Sequence, residues 1–145
     1  MKNIAENRRA RFDYDIVETL EAGVELNGQE VKSAKNGRLN LASSYAVPKG
    51  GEFLLVNASI PPYQPKNVPD DYRADRSRRL LLHKSEIKSL YGKLRQKSFS
   101  LVPLRAYVKK GFIKLELGLG RSRKKSDKRE VIKKRDARRE MKEFI

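Results

Sequence analysis

The chain has 145 residues, of which 38% are hydrophobic, and this length and composition can supply one domain with a modest core but not two. Its 34 lysines and arginines outnumber 18 acidic residues and give a formal net charge of +16, which indicates an anionic polymer as partner. The absence of cysteine excludes disulfides and thiolate metal sites, and the single histidine, His83, excludes a metal site built from several histidines.

The first predicted element is a strand. From Phe12 to Leu20, β-branched residues combine with partial alternation of apolar and polar types, and this pattern continues past Gly23 into Val24 to Leu26. Gly23 is therefore a candidate β-bulge.

The dipeptide Asn27-Gly28 has two interpretations. It is a strong signal for a two-residue hairpin, but Asn27 followed by Glu30 also fits a capping box at the start of a helix. The three-residue spacing of the next apolar positions favours a short helix that continues through Lys35.

A β-hairpin and a long loop follow. Two strand-like runs, Ser44 to Val47 and Glu52 to Asn57, flank residues 48–51, whose proline and two glycines supply turn geometry. From Pro61 to Asp75, four prolines and many polar residues predict a loop with little regular structure. Three arginines then form a cluster of positive charge: Arg76, Arg78 and Arg79.

The last part of the predicted domain is a helix and a second hairpin. Apolar residues at helical spacing between Ser85 and Gln96 predict an amphipathic helix: Ile87, Leu90, Tyr91 and Leu94. The runs Phe99 to Val108 and Phe112 to Leu119 flank a Lys-Lys-Gly turn and predict two strands. We expect one alternating row of the second strand to be buried, with Lys114 and Glu116 on the opposite face: Ile113, Leu115 and Leu117.

Together these elements predict a mainly β fold with flanking helices. Five or six strands in antiparallel hairpin order favour a small closed barrel of the OB type, because closure removes exposed strand edges. The predicted domains are an OB-like barrel over residues 1–120 and a basic C-terminal tail over residues 121–145.

Charge density is concentrated in the tail, where 12 basic residues accompany 5 acidic ones in 25 positions. Such a segment is expected to bind RNA or DNA tightly at low salt, because each neutralised phosphate releases counterions. The tail also carries an apolar stripe at helical spacing: Ala137, Met141, Phe144 and Ile145. We expect it to be disordered when free and helical when docked on a partner. A membrane-surface helix is disfavoured, since the stripe is thin and lacks tryptophan.

The sequence favours a binding protein over an enzyme. His83 is the only candidate for a histidine base, and its position at a strand-to-helix junction is more typical of a capping or partly buried side chain. No apolar run is long enough to span a bilayer, and residues 1–11 lack the apolar region of a secretory signal. We therefore expect a cytoplasmic protein without a membrane partner.

Seven segments carry a resemblance to a known family, in this order along the chain: NRRARFDY (7–14), ETLEAG (18–23), GQEVKS (28–33), SSYA (43–46), RSRRLLLH (76–83), LVPLRAYVKKG (101–111) and SDKRE (126–130). The chain resembles the small protein B (SmpB) family. The resemblance implies an OB-like barrel that binds the tRNA-like domain of transfer-messenger RNA. It also implies elongation factor Tu as a partner through the charged RNA, and delivery of that RNA to stalled ribosomes. No cofactor is implied.

Four positions match residues that contact the tRNA-like domain in this family: Asn7, Glu21, Leu81 and Lys114. The resemblance implies that Lys114 meets phosphate, that Asn7 and Glu21 hydrogen-bond RNA edges or 2′-hydroxyls, and that Leu81 packs on sugar or base. Each also has a structural interpretation. Asn7 fits a cap, Glu21 a surface ion pair and Leu81 the core.

The resemblance further implies that the tail enters the vacant decoding site and messenger channel of the small ribosomal subunit. The residues concerned are Asp127, Lys128, Arg129, Lys133, Lys134, Arg138, Phe144 and Ile145. Three positions depart from frequent family residues, namely Phe12, Ser122 and Ser126. The alternatives are a general RNA-binding OB protein without a role in ribosome rescue, and a ribosomal-type protein whose tail threads rRNA.

Overall fold

The computed structural model describes residues 2–123 and Arg129, and in this part the chain forms seven strands, three α-helices and one 3-10 turn. The strands are β1 (Lys2–Glu6), β2 (Tyr14–Val24), β3 (Tyr45–Lys49), β4 (Glu52–Val56), β5 (Arg78–Leu81), β6 (Phe99–Lys109) and β7 (Phe112–Ser122). The helices are α1 (Ala10–Asp13), α2 (Gly28–Lys35) and α3 (Lys84–Lys93), and the 3-10 turn is Pro65–Asn67.

All strand pairs are antiparallel, and six strands close into a ring in the order β6-β7-β2-β5-β4-β3. One edge of β6 pairs along its length with β7. The other edge is shared, because β3 joins it at Leu101 and β1 pairs with residues 105–108. The predicted mainly β fold with flanking helices is confirmed, and closure leaves few free edges.

Two tight turns set the register of the hairpins. Gly50 and Gly51 have φ values of +59° and +80°, and Lys110 and Gly111 have φ values of +51° and +82°. Two consecutive residues at positive φ form the kind of turn whose twist matches that of paired strands. Both predicted hairpins are confirmed, although β3 extends two residues further than the sequence indicated.

The segment after Asn27 is a helix, not a hairpin. The Asn27 side chain accepts a hydrogen bond from the Glu30 backbone N–H at 2.9 Å, and the Glu30 carboxylate accepts one from the Asn27 N–H at 3.0 Å. This reciprocal capping box satisfies two N–H groups that a helix start leaves unpaired.

Glu30 has a second role as the acceptor in a buried ion cluster. Its side chain and that of Arg78 are both fully buried, and Arg78 Nη2 lies 2.7 Å from Glu30 Oε2. Arg76 also donates to this carboxylate. The remaining Arg78 donors bond the carbonyls of Ala58 at 2.9 Å, Arg76 at 3.0 Å and Ala74 at 2.8 Å. The cluster therefore joins α2, the end of β4 and the loop before β5. Of the three arginines in this cluster of positive charge, Arg78 is therefore a fully buried partner of Glu30.

The barrel core lies between the inner faces of the strands. Ile113, Leu115 and Leu117 are buried, as the alternation predicted. The α3 helix closes one side of the core through Leu90, and the Phe53 ring packs edge-on against Tyr91 with centroids 5.2 Å apart.

The N-terminal region differs most from the sequence prediction, which gave five or six strands. β1 was missed because its five residues show no clear alternation. Phe12, which was predicted to begin a strand, lies instead in α1, a single turn that is too short to show helical periodicity. The bulge in β2 lies between Ile16 and Glu18, whereas Gly23 pairs regularly with Lys114 and Leu81.

The last strand, β7, continues into the basic segment that was predicted to belong to the tail. Arg121 and Ser122 pair with Asp15 and Tyr14, and the Arg123 N–H donates to the Asp13 carbonyl at 2.8 Å. The barrel thus includes these first tail positions, and the division near residue 120 stays a prediction.

Candidate nucleic-acid interface

The outer face of β2, β7 and β6 collects charged side chains in two cross-strand rows. The first row runs Glu21, Glu116, Arg105, and the second runs Gly23, Lys114, Tyr107. Residues directly opposite each other on antiparallel strands lie close enough to interact, so these rows form one surface.

Leu81 and Lys114 meet over Gly23. Gly23 pairs with Leu81 on β5 and with Lys114 on β7. A Cβ at position 23 would lie 3.2 Å from Leu81 Cβ and 3.6 Å from Lys114 Nζ. Glycine therefore leaves the room in which these two side chains converge. Leu81 is 46% exposed, so its interpretation as a core residue was wrong.

A hydrogen-bond network holds the carboxylate of Glu21. The Tyr107 hydroxyl donates to Glu21 Oε2, and Lys109 Nζ lies 3.3 Å from the same oxygen. The Arg105 guanidinium lies 4.5 Å from the centroid of the Tyr107 ring and fixes that ring by a cation–π contact. The network thus orients the Glu21 side chain on the outer face.

The network also shifts two pKa values in opposite directions. The hydrogen bond from Tyr107, which outweighs the opposing effect of burial, and the Lys109 ammonium hold the pKa of Glu21 below its ordinary value. Burial and the hydrogen bond to Glu21 raise the pKa of Tyr107 to about 12. At neutral pH, Glu21 is therefore an ionised acceptor and Tyr107 a neutral donor.

Asn7 lies in a neighbouring cleft on the same side of the barrel. Its side-chain nitrogen donates to the Pro103 carbonyl at 3.0 Å, and its backbone N–H donates to the Leu104 carbonyl at 2.8 Å. The cleft also contains Arg105 and Glu116, which are part of the first cross-strand row. Asn7 is therefore continuous with the surface around Glu21 but does not touch the Leu81 and Lys114 pair.

The basic side chains of this surface differ in whether an acidic side chain already pairs with them. Arg105 pairs with Glu116 at 3.4 Å, and Lys109 pairs with Glu21 at 3.3 Å. Lys114 forms no ion pair with any residue in the described part of the chain. Its ammonium can thus meet a phosphate without first breaking a salt bridge.

Three other features within residues 2–123 and Arg129 bear on candidate chemistry. There, no group of three or more histidine or acidic residues is placed to hold a metal ion. His83 is the N-cap of α3, where its backbone N–H donates to Glu86 at 3.0 Å. In the same range no helix is long and apolar enough to cross a membrane.

Comparison with known proteins places the chain in a family. The family model described as "SmpB protein" matches residues 4–145. The chain belongs to the SmpB family. Two similar members are named SsrA-binding protein. One, from Trichodesmium erythraeum, is 49% identical over 99% of this chain and 92% of its own length. The other, from Chlorobaculum tepidum, is 50% identical over 95% of this chain and 88% of its own length.

A solved structure of a family member has the same fold. It is described as "tmRNA-SmpB: a journey to the center of the bacterial ribosome" and is 43% identical to this chain. The TM-score is 0.69, and the match covers 88% of this chain and 93% of that one. The barrel described above is therefore the fold of the SmpB family.

The predicted tail contacts lie almost entirely beyond the described residues. Arg129 is described and its side chain is exposed. The other predicted positions are outside this range: Asp127, Lys128, Lys133, Lys134, Arg138, Phe144 and Ile145. The apolar stripe and the departure at Ser126 are outside it too.

Sequence reasoning missed Tyr107 and Lys109, the residues that hold Glu21. A signal for them was present in the two-residue turn at Lys110 and Gly111. Such a turn places Lys109 opposite Phe112 and Tyr107 opposite Lys114, and alternation puts Tyr107 on the same face as Lys114.

Proposed function

We propose that this chain is an RNA-binding factor of trans-translation, which binds the tRNA-like domain of transfer-messenger RNA and delivers that RNA to stalled ribosomes. Membership of the SmpB family supports this function, as do relatives named SsrA-binding protein. The solved relative, described with tmRNA and the bacterial ribosome, points to the same partners. The family also supports a role in binding and not in catalysis.

The observation that carries the proposal is the convergence over Gly23 of Leu81 and Lys114, which has no ion pair among the described residues, beside an oriented Glu21 carboxylate. These groups offer a cation for phosphate, an apolar surface for sugar or base, and an acceptor for a 2′-hydroxyl or an amino group. Folded RNA presents all three features on its minor-groove side and in its loops. Asn7 extends the surface with an amide that can read an RNA edge.

The tail has a separate role in this proposal. Its basic residues bind the phosphates of the vacant decoding site and messenger channel, and Phe144 and Ile145 pack on apolar surface there. The contacts near the barrel involve Asp127, Lys128 and Arg129, and those further along involve Lys133, Lys134 and Arg138. We expect this segment to become helical only on the ribosome.

One further partner and a location follow from the same function. Elongation factor Tu meets this protein through the charged RNA that both hold. Because ribosomes are the site of action, the protein works in the cytoplasm.

The decisive experiment compares the full chain with a version ending at Arg123, which keeps every described strand pair. Binding to the tRNA-like domain and to an unrelated hairpin is measured across a salt series. We expect both proteins to prefer the tRNA-like domain, and only the full chain to support peptide tagging on stalled ribosomes. A preference that disappears with the tail contradicts the proposal and favours a general electrostatic binder.

A matched pair of lysine variants tests the site itself. Lys114→Ala is expected to weaken binding and to lower the slope of log affinity against log salt by about 1, as loss of one phosphate contact does. Lys49→Ala, at an exposed position of β3, removes the same charge elsewhere and should leave the preference for the tRNA-like domain intact.

A further inference from the structure

A second cleft opens beside the surface around Gly23. It shares Gly23, Leu81 and Lys114 with the candidate interface and has a volume of about 340 Å³. This volume lies near the lower end of the range of small-ligand pockets, about 300–1,000 Å³. The cleft is therefore a lateral extension of the candidate RNA surface and not a separate site.

The walls of the extension are apolar, and one of them is unusually exposed. Val24, Leu26 and Ile113 form its inner part, and Phe112 stands at its rim with 70% of its surface exposed. Four large hydrophobic residues are exposed in the described part of the chain, and two of them, Phe112 and Leu81, line this one cleft. Single exposed apolar residues are ordinary, but two on one concave surface indicate a binding site.

The backbone fixes where the Phe112 ring stands. Phe112 is the first residue after the turn at Lys110 and Gly111, and its cross-strand partner is Lys109. Among the described residues that line the cleft, none is acidic and Lys114 is basic. The site thus combines an aromatic ring and aliphatic walls with a cation at the side that faces Glu21.

We propose that this cleft holds one unpaired nucleobase of the bound RNA. The base stacks on the Phe112 ring, its ribose packs against Leu81, and the adjoining phosphate meets Lys114. Stacking on an aromatic side chain is the usual way in which proteins hold an unstacked base. Continuity with the RNA surface, and a Lys114 ammonium without an ion pair among the described residues, favour a nucleotide over a peptide or a second copy of this chain. The inference rests on the proposed function and adds a specific element of RNA recognition to it.

Phe112 variants in the full chain test the inference. The probe is the tRNA-like domain of transfer-messenger RNA with a fluorescent label, and binding is followed by anisotropy. Phe112→Ala is expected to weaken binding about 5- to 100-fold, the range for loss of one stacked base. Phe112→Trp keeps an aromatic face and should restore binding. Because neither variant removes a charge, the slope of log affinity against log salt should equal that of the wild type.

Val17→Ala is the matched control, since Val17 is 52% exposed and lies outside the cleft. It is expected to change affinity by no more than about twofold, as an exposed apolar residue without a ligand should. Phe112→Ala should also keep the circular dichroism spectrum of the wild type, because its side chain contributes little to the core.

A second set of RNAs identifies the occupant. Abasic nucleotides are introduced in turn at each unpaired position of the tRNA-like domain. At one position the abasic RNA should bind the wild type and Phe112→Ala equally, since the base that stacks is then absent.

Equal binding of wild type and Phe112→Ala to the intact RNA overturns the inference. If the wild type still prefers the tRNA-like domain in that case, the proposed function stands without the stacking site. If the wild type shows no such preference, the proposed function itself fails. A change in self-association on sedimentation, without a change in RNA affinity, assigns the cleft to a second copy and also overturns the inference.

Discussion

Replacing Arg78 by methionine removes the central cation of the buried cluster while keeping a side chain of similar length. The change leaves Glu30 fully buried with one arginine partner instead of two. It also removes the donor from three backbone carbonyls in the loop before β5 and at the end of β4.

The expected cost follows from these losses. Breaking a buried ion pair by removing one partner costs about 3–5 kcal/mol, because the remaining charge loses its compensation. Arg76 still reaches Glu30, and its side chain is 38% exposed and can adjust, so we expect the lower end of that range, about 3 kcal/mol. For a domain of this size, such a loss lowers the Tm by about 10 °C.

Urea and thermal unfolding followed by circular dichroism measure this change. Arg79→Met is the control, since Arg79 is the next residue but is half exposed and pairs with Glu25 at 3.5 Å and Glu52 at 2.6 Å. Exposed pairs contribute about 0–1 kcal/mol, so the control should be nearly as stable as the wild type. A loss below about 1 kcal/mol for Arg78→Met, or equal losses for both variants, refutes the assignment of a stabilising role to the cluster.

Three further predictions concern the Glu21 network, acid stability and glycine packing. Tyr107→Phe should weaken binding to the tRNA-like domain by about tenfold in anisotropy titrations, because a hydrogen bond to a charged group is lost. The double variant Tyr107→Phe and Glu21→Gln should bind no more weakly than the weaker of the two single variants. Additive losses of binding free energy would contradict coupling between the two residues. Although burial alone would raise the pKa of Glu30, hydrogen bonds from the two arginines and a backbone N–H lower it. The free energy of unfolding that ionised Glu30 contributes is therefore present above its ordinary pKa and is lost as pH falls through the folded-state pKa. In Glu30→Gln, the free energy of unfolding measured in urea should therefore decrease less as the pH is lowered. Gly120→Ala should destabilise by about 1–3 kcal/mol in the same assay, since its Cβ would lie 3.0 Å from Tyr14 Cβ and 3.2 Å from the Asp15 carbonyl oxygen, which cannot rotate away. Gly92→Ala in α3 meets nothing within 4 Å and should stabilise by about 0.5–1 kcal/mol.

Sequence patterns predicted the structure correctly where a short segment determines its own conformation. The turns at Gly50-Gly51 and Lys110-Gly111 depend on neighbouring residues alone, and their patterns indicated the observed structure. At Asn27 the local pattern left a hairpin open but favoured the helix that the structure shows. The buried row of β7 followed from alternation in the same way.

Sequence patterns failed where the environment comes from distant parts of the chain. Arg78 looks like its neighbour Arg79, but three carbonyls and a carboxylate from other segments make its burial favourable. Similarly, β1 has little pattern of its own and is a strand because β6 offers it a free edge. Of the candidate site, the resemblance supplied Glu21, Leu81 and Lys114, but only the fold brought Leu81 and Lys114 together over Gly23, with Glu21 beside them.

The length of β2 separates two ends of the molecule that serve different ligands in the proposed function. Gly23, where Leu81 and Lys114 converge, is near one end of this strand, and Tyr14, which pairs with Ser122 among the first tail positions, is at the other. At about 3.3 Å per residue, these points lie roughly 30 Å apart along the strand. In the proposed function, this length lets one end of the barrel hold an RNA while the chain that leaves the other end is inserted elsewhere, without the two competing for the same space.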